Sequence, residues 1–361
     1  MTRVIGIDPG TVSIDLCGLE DGEVFLDRSF PTAEALADPT EFVALLESAV
    51  PLDLIAGPSG YGLPVTPAAR ATEEDFQLAF LAAPGETGGI GGLRTLARTL
   101  AHSSLPVVFT PAVIHLTSVP EHRKVNRVDM GTADKVATAA LAIDQQARRA
   151  VRPIEEVSLV LLELGGAFTA ALAVVGGRIV DGVGGSAGPL GFRAAGALDG
   201  EVAFLAGAVP KDLLFGGGAV AVAGWDDAQA SAEGFARPST PRERLAWEAF
   251  VESAVKAATA LTTIVPAPRE IVLSGRLAHV DAVRHALGER LGSIAPTRLL
   301  EGFASVAKEG AQGAALIADG LAGGTRRWLV ETMKIREACG TVLDHLYVIS
   351  PGAARQRLGL S

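Results

Sequence analysis

The chain has 361 residues, 48% of them hydrophobic and 20% charged, with a formal net charge of −10. That length exceeds one small core and implies two domains, and the apolar content excludes a disordered chain. The acidic balance, with basic residues scattered apart from adjacent pairs such as Arg148-Arg149 and Arg326-Arg327, excludes a sequence-independent nucleic-acid binder. Two cysteines, Cys17 and Cys339, make neither a disulfide framework nor a CxxC metal spacing. No apolar run reaches membrane-spanning length, and a strand begins by residue 3 without the shape of a signal peptide; a cytoplasmic protein with no membrane partner is expected.

In chain order, VIGIDPGTVSIDLCGLEDGEV (4–24) reads as a buried strand ending at Asp8, a glycine turn with hydroxyls at Thr11 and Ser13, a second strand, and a turn at Asp21-Gly22. LDLIAGPSGYGLP (52–64) is a short strand ending at Gly57. TGGIGGLRTLARTLAHSSL (87–105) is a glycine-rich loop entering an amphipathic helix, PVVFTPAVIHL (106–116) a strand, and TADKVATAALAIDQQARRA (132–150) a helix with Ala137, Leu141 and Ile143 on its apolar side. A boundary is expected near residue 150.

The second half opens on an echo of the first. Shifted by 155 residues, the opening stretch meets LVLLELGGAFTAALAVVGGRIV (159–180): Asp8 falls on Glu163, Gly10 on Gly165, and Gly22 on Gly177. Both copies read strand, acidic residue, glycine turn, strand, glycine turn, strand, without a gap over about twenty residues, which implies duplication of one α/β unit. Beyond it lie a long helix (246–264), a strand EIVLSGRL (270–277), a helix closed at Gly292, and an Ala/Gly-rich helix closed at Gly323-Gly324. RRWLVETMKIREACGTVLDHLYVI (326–349) reads as an appended helix.

Two hairpins with glycine turns can hold a polyphosphate, because glycine lets backbone N–H groups reach phosphate oxygens without a Cβ in the way. Thr11 and Ser13 can donate to the same oxygens, as can the turn at Gly165 and Gly166. A carboxylate before such a turn can hold Mg²⁺ through water, which assigns Asp8 and its counterpart Glu163 to the metal. Taken alone, Asp8 is equally a turn residue satisfying local N–H groups; the repeat favours the phosphate role. The strand–Ser274-Gly275–helix junction allows close approach of a flat ligand or phosphate, and Gly216 and Gly217 form either a nucleotide-contacting loop or a turn. Asp129 and Asp134 flank Gly131-Thr132 before a helix; Asp129 or Thr132 caps it, or Asp129 or Asp134 faces a cleft with Lys135 nearby. There is no GxxxxGK[ST] and no GxGxxG, so neither a P-loop nor a Rossmann dinucleotide site is expected.

IGIDPGTVS, LLELGGAFT, IVLSGRLAHV, GTADKVATAALAI and EGAQGAALIADGLAGG, in that order, resemble the two phosphate motifs, the adenosine motif and the two connecting helices of the ATPase superfamily of acetate kinase, sugar kinases, actin and the large chaperone ATPases (ASKHA). DPGT, GPSGYGLP, DMGTADK and GAALIADGLAGG are similar to a group described as predicted butyrate kinases. The resemblance spans most of residues 1–325. It implies an α/β fold of two ribonuclease-H-like (actin-like ATPase) domains, 1–150 and 151–325, with an appended 326–361, and ATP and Mg²⁺ in the cleft between the domains. It further implies an ATP-dependent kinase acting on a small molecule, a carboxylate favoured over a hydroxyl, with a homodimer as a compatible assembly. Carboxylate phosphorylation needs no strong base, since the nucleophile is already ionised. Arg94, Arg123 or Arg127 would then clamp the acceptor carboxylate, and for a hydroxyl acceptor Asp129 or Asp134 becomes the base. The rival readings are an ATPase of the same fold that acts on a partner protein, and a nucleotide-binding pseudoenzyme, which the apolar Val12 in the first turn would suit.

Overall fold

The computed structural model describes residues 1–81, 90–150, 153–228 and 230–360. Its strands are β1 (Arg3–Pro9), β2 (Ser13–Glu20), β3 (Glu23–Pro31), β4 (Leu54–Ala56), β5 (Thr66–Pro67), β6 (Val107–Phe109), β7 (Ser158–Leu164), β8 (Thr169–Val175), β9 (Arg178–Val183), β10 (Glu270–Ser274) and β11 (Thr297–Leu299). The principal helices are α1 (Ile90–Ala101), α2 (Ala133–Ala150), α3 (Pro241–Leu261), α4 (Asp281–Leu291) and α5 (Glu309–Leu321). Among the described residues no helix is long and apolar enough to cross a membrane.

The duplication is visible in the sheets. β1 and β7 start 155 residues apart, and each heads an antiparallel meander followed by a parallel neighbour. The first sheet runs β3-β2-β1-β4-β6-β5 and the second, read from its far edge, β9-β8-β7-β10-β11. β1 and β7 are central and covered on both faces, so they are continuous apolar runs rather than alternating ones. The chain divides into two compact units. The first comprises Met1–Glu156, Gly177–Ile179 and the chain from Glu301 onward; the second comprises Val157–Gly176 and Val180–Leu300. The expected partition 1–150, 151–325 and 326–361 cuts elsewhere, because α5 packs on β1, β2, β4 and α2.

In the first unit, Ile5, Ile7, Ile14, Leu16, Phe42, Phe80 and Phe109 form the core of one sheet face. α5 covers β1. All thirteen of its residues are buried, and its glycines let backbones meet: a Cβ on Gly6 of β1 would lie 2.1 Å from Ala315 N, and one on Gly313 1.8 Å from Ala137 O of α2. In the second unit Phe235 lies at the centre of an aromatic cluster with Phe192, Trp225, Trp247 and Phe250, and α3 and α4 pack the sheet through Phe250, Val251, Val283 and Leu287.

Two expected elements are broken. The strand expected over 106–116 ends at Phe109, since Pro111 cannot extend the ladder, and a 3₁₀ turn Val113–His115 follows. The appended helix is instead a short helix Arg327–Thr332, a 3₁₀ turn Ile335–Glu337 and a further helix Pro351–Arg357. It is interrupted where Lys334 and Gly340 adopt left-handed conformations.

The stretch leading into α5 is pinned from two sides. Asp27 of β3 accepts hydrogen bonds from the backbone N–H groups of Ser305, Val306 and Ala307 at 2.7–3.2 Å, and buried Gln312 takes Phe303 N–H at 2.6 Å and gives a bond to Ala307 O at 2.7 Å. Partial burial of Asp27 works against its charge, but the three N–H donors outweigh it and hold the carboxyl below its usual range. Asp27→Ala removes these bonds, and since Ser305 and Val306 are exposed and can turn to water while Ala307 is buried, urea unfolding should show a loss of about 1 kcal/mol; an unchanged midpoint would show the loop to be held by other contacts.

Candidate active site

The site in the first unit is assembled from three distant segments. Asp8 lies near the end of β1, opposite Asp15 of β2, and Gly10 N–H turns back onto Asp8 O at 3.1 Å. α2 brings Asp134 in its first turn, where a carboxylate meets the positive end of the helix. α5 brings Lys308 as its N-cap residue and Gly310 as its second residue. A Cβ on Gly310 would stand 2.7 Å from Asp8 Oδ2, so glycine there leaves the carboxylate its present position.

Charge is concentrated around Asp8. Lys308 Nζ donates to Ser13 Oγ at 2.5 Å and lies 2.9 Å from Asp15 Oδ2, while Ser13 Oγ also donates to Asp15 Oδ2 at 3.0 Å. Lys135 Nζ donates to Asp134 Oδ2 at 2.6 Å, and Thr132 Oγ1 donates to Asp134 Oδ1. Burial pushes the Asp8 carboxyl up to about 7, with Asp134 and Asp15 adding to the rise and Lys308 and Lys135 opposing it. Burial also works against the charge of Asp134, but Lys135 and Thr132 outweigh it and hold that carboxyl below its usual range. The two carboxylates are thus pushed apart, the pattern found where one group stays ionised and a second exchanges a proton or a cation.

Among the described residues no set of three or more His, Cys, Asp and Glu side chains could hold a metal ion on its own. Mg²⁺ does not need one, since it is commonly held by one or two carboxylates with water and phosphate oxygens completing the shell. The buried Asp8, repelled by Asp134, fits that mode because a cation would relieve the repulsion.

The second unit gathers the repeat-related residues. Glu163 is the sixth residue of β7 as Asp8 is of β1, and it pairs in register with Ser274 of β10. Gly165 and Gly275 both close on Glu163: Cβ atoms there would lie 3.2 and 2.8 Å from Glu163 Oε1, and Gly275 has φ +84°. Arg193 donates to Gly166 O at 2.7 Å and pairs with Asp227 at 2.7 Å. Its neighbour Ala194 bridges Gly217. Gly165, Gly166, Ser274, Gly275 and Gly217 with Gly216 therefore belong to one set of loops around the second turn.

Asp8, Gly10 and Ser13 share the first turn, as their contiguity implies; of the two alternatives the sequence leaves open, Asp129 and Asp134, Asp134 is the one whose charge bears on Asp8. Thr11 is exposed beside them. Asp129 is buried and accepts from Gly131 N–H at 3.1 Å, and Arg94 is buried and donates to Gln77 Oε1 at 2.9 Å. Arg123 is half-buried and Arg127 exposed. Of the glycine-rich loop expected at 87–92, residues 87–89 lie outside the described residues. Three groups were missed: Lys308, Asp15 and Arg193. The only signal for Lys308 is its place immediately before the Ala/Gly-rich helix; Asp15 and Arg193 carry none, since each acquires meaning from its neighbours in space.

Two sheets with the same order, each with an acidic residue at the glycine turn of its first hairpin, define an α/β fold of two actin-like ATPase domains, the fold of the acetate kinase, sugar kinase and actin superfamily. Solved structures agree. Acetate kinase from Porphyromonas gingivalis superposes with TM-score 0.60 at 12% identity, over 87% of this chain and 98% of that one. A propionate kinase from Francisella tularensis subsp. tularensis gives 0.60 at 11%, over 87% and 98%. A putative N-acetylmannosamine kinase from Listeria monocytogenes gives 0.51 at 13%, over 87% and 97%. The chain belongs to the family described as "Protein of unknown function (DUF1464)", which it matches over residues 6–348. A search of curated proteins returns no match.

Proposed function

We propose that the protein is an ATP- and Mg²⁺-dependent phosphotransferase that phosphorylates a short-chain carboxylic acid to an acyl phosphate, in the manner of a butyrate kinase. The carrying observation is the Asp8–Asp134 pair with Lys135 and Lys308 around the Gly10–Ser13 turn. Bound ATP and Mg²⁺ would supply the transferable phosphoryl group and the cation that neutralises its charge. Asp8 would hold the hydrated cation, with Glu163 as its counterpart at the second turn. The N–H groups and hydroxyls of Gly10, Thr11 and Ser13 would bind phosphate oxygens, as would those of Gly165 and Gly166. Gly216, Gly217, Ser274 and Gly275 would border the nucleoside, and Arg94 would orient the acceptor.

Both oxygens of Asp134 are already engaged, by Thr132 and Lys135, and its carboxyl is held low, which makes it a poor general base. That supports an acceptor that arrives already ionised. A hydroxyl acceptor would have to draw on Asp129 or on Asp8 itself.

An ATP-consumption screen over acetate, propionate, butyrate and longer acids, with hydroxylamine trapping of acyl phosphate, tests the reading; sugars form the second arm. ATP consumption that requires a carboxylate, with hydroxamate formed in proportion, is expected. Sugar-dependent consumption would move the acceptor to a hydroxyl. Phosphate release without any acceptor would replace the kinase by an ATPase that serves a partner protein.

A further inference from the structure

The first phosphate turn carries no cation of its own: Gly10, Thr11, Val12 and Ser13 are all uncharged, and Val12 is half exposed. The structure brings one from nearly 300 residues away. Lys308 Nζ lies where a Cβ on Gly10 would be 3.1 Å from it, so the ammonium stands directly over the turn. An ammonium has three protons to donate. Ser13 Oγ and Asp15 Oδ2 account for two. The Lys308 side chain is 39% exposed, whereas its counter-ion Asp15 is 1% exposed, so the ammonium is the part of the pair that solvent or a ligand can reach.

The lysine is also held in place. Asp27 and Gln312 fix residues 303–307, and α5 begins immediately after Lys308. A long flexible side chain with its backbone and its tip both tethered loses little further freedom on meeting an anion.

We propose that Lys308 is a direct phosphate ligand of this site and supplies the positive charge that the first turn lacks, with Asp15 and Ser13 aiming it. The proposal rests on the nucleotide reading above and names a specific residue for it. The rival role is purely structural: Lys308 would do no more than neutralise the buried Asp15.

The two roles separate in a double-mutant cycle read by equilibrium binding of a non-hydrolysable ATP analogue with Mg²⁺, using titration calorimetry on K308M, D15N and D15N/K308M. Loss of one charge-assisted hydrogen bond to phosphate corresponds to about 10- to 100-fold in Kd. That penalty is expected for K308M against wild type, and again for D15N/K308M against D15N, with adenosine binding changed far less in both comparisons. If K308M alone does not fold because Asp15 is left buried without its partner, the comparison within the D15N background decides. A penalty that disappears in the D15N background, or a K308M protein that binds within twofold of wild type, overturns the proposal. Wild-type protein that binds the analogue not at all would overturn the nucleotide reading itself, a result distinct from a failure at Lys308.

Discussion

Asp8→Asn is expected to lower turnover about 100-fold or more and, at the same time, to make the ligand-free protein more stable at pH 8. The first effect follows from removing a preorganised charge from the place where a cation and phosphates would be held. The second follows from linkage. Burial, with Asp134 and Asp15, raises the Asp8 carboxyl from 3.8 to about 7 against the pull of Lys308 and Lys135. The folded chain therefore holds this proton more tightly than the unfolded chain does. The stability that the proton contributes is fully present below about pH 4 and is lost as pH rises through about 7. Above that pH the ionised carboxylate costs at most about 4 kcal/mol, since each tenfold change in proton affinity is worth roughly 1.4 kcal/mol. Asparagine, neutral at every pH, escapes the cost. Thermal melts of both proteins from pH 5 to pH 8 should show a gap in favour of the variant that widens with pH and levels off above 7. A gap that stays constant across that range, or near-normal turnover, would remove Asp8 from the role given to it. Destabilising groups retained at a functional site are a common cost of function.

Gly313→Val is expected to prevent folding of the first unit. A Cβ at 313 would lie 1.8 Å from Ala137 O and 2.4 Å from Ala137 C, and both are backbone atoms of α2 that cannot swing aside. α5 cannot retreat from α2 either, because its other side meets β1 at Gly6, where a Cβ would lie 2.1 Å from Ala315 N and 2.3 Å from Ala311 O. The added side chain must therefore push apart three elements that share one core. The expected loss is about 4 kcal/mol or more, read as insoluble expression or as a large drop in denaturant midpoint. Gly313→Ala should show the same effect in milder form, with altered activity as well, since Gly310 and Lys308 are carried by the same helix. A Gly313→Val protein with an unchanged midpoint would mean that α5 is far less closely packed than its contacts indicate.

Much of this was legible in the sequence because it is local. The hairpin around Asp8 and its echo around Glu163 are contiguous strings whose periods and turn residues specify strands and turns directly, and β1 and β7 start with the same 155-residue offset that the strings show. The Ala/Gly-rich stretch before Gly323 announced a helix, which α5 is; its close packing on β1 and α2 shows only in the structure. The tail was misread because its apolar residues, Leu329, Val330, Met333 and Ile335, suit a helix by spacing, yet they are buried on a chain that turns at Lys334.

By itself, then, the sequence determined the duplicated strand–turn–strand unit, its two acidic residues and the glycines that flank them, since each depends on neighbours along the chain. Only the tertiary structure decided that Asp134 rather than Asp129 faces Asp8, that Gly310 makes room for the carboxylate, that residues from Glu301 onward belong with the first unit, and that the cation over the first turn is Lys308. Those facts depend on segments more than a hundred residues apart meeting through close backbone packing, and burial alone turns such meetings into shifted charges. No spacing within the chain encodes either.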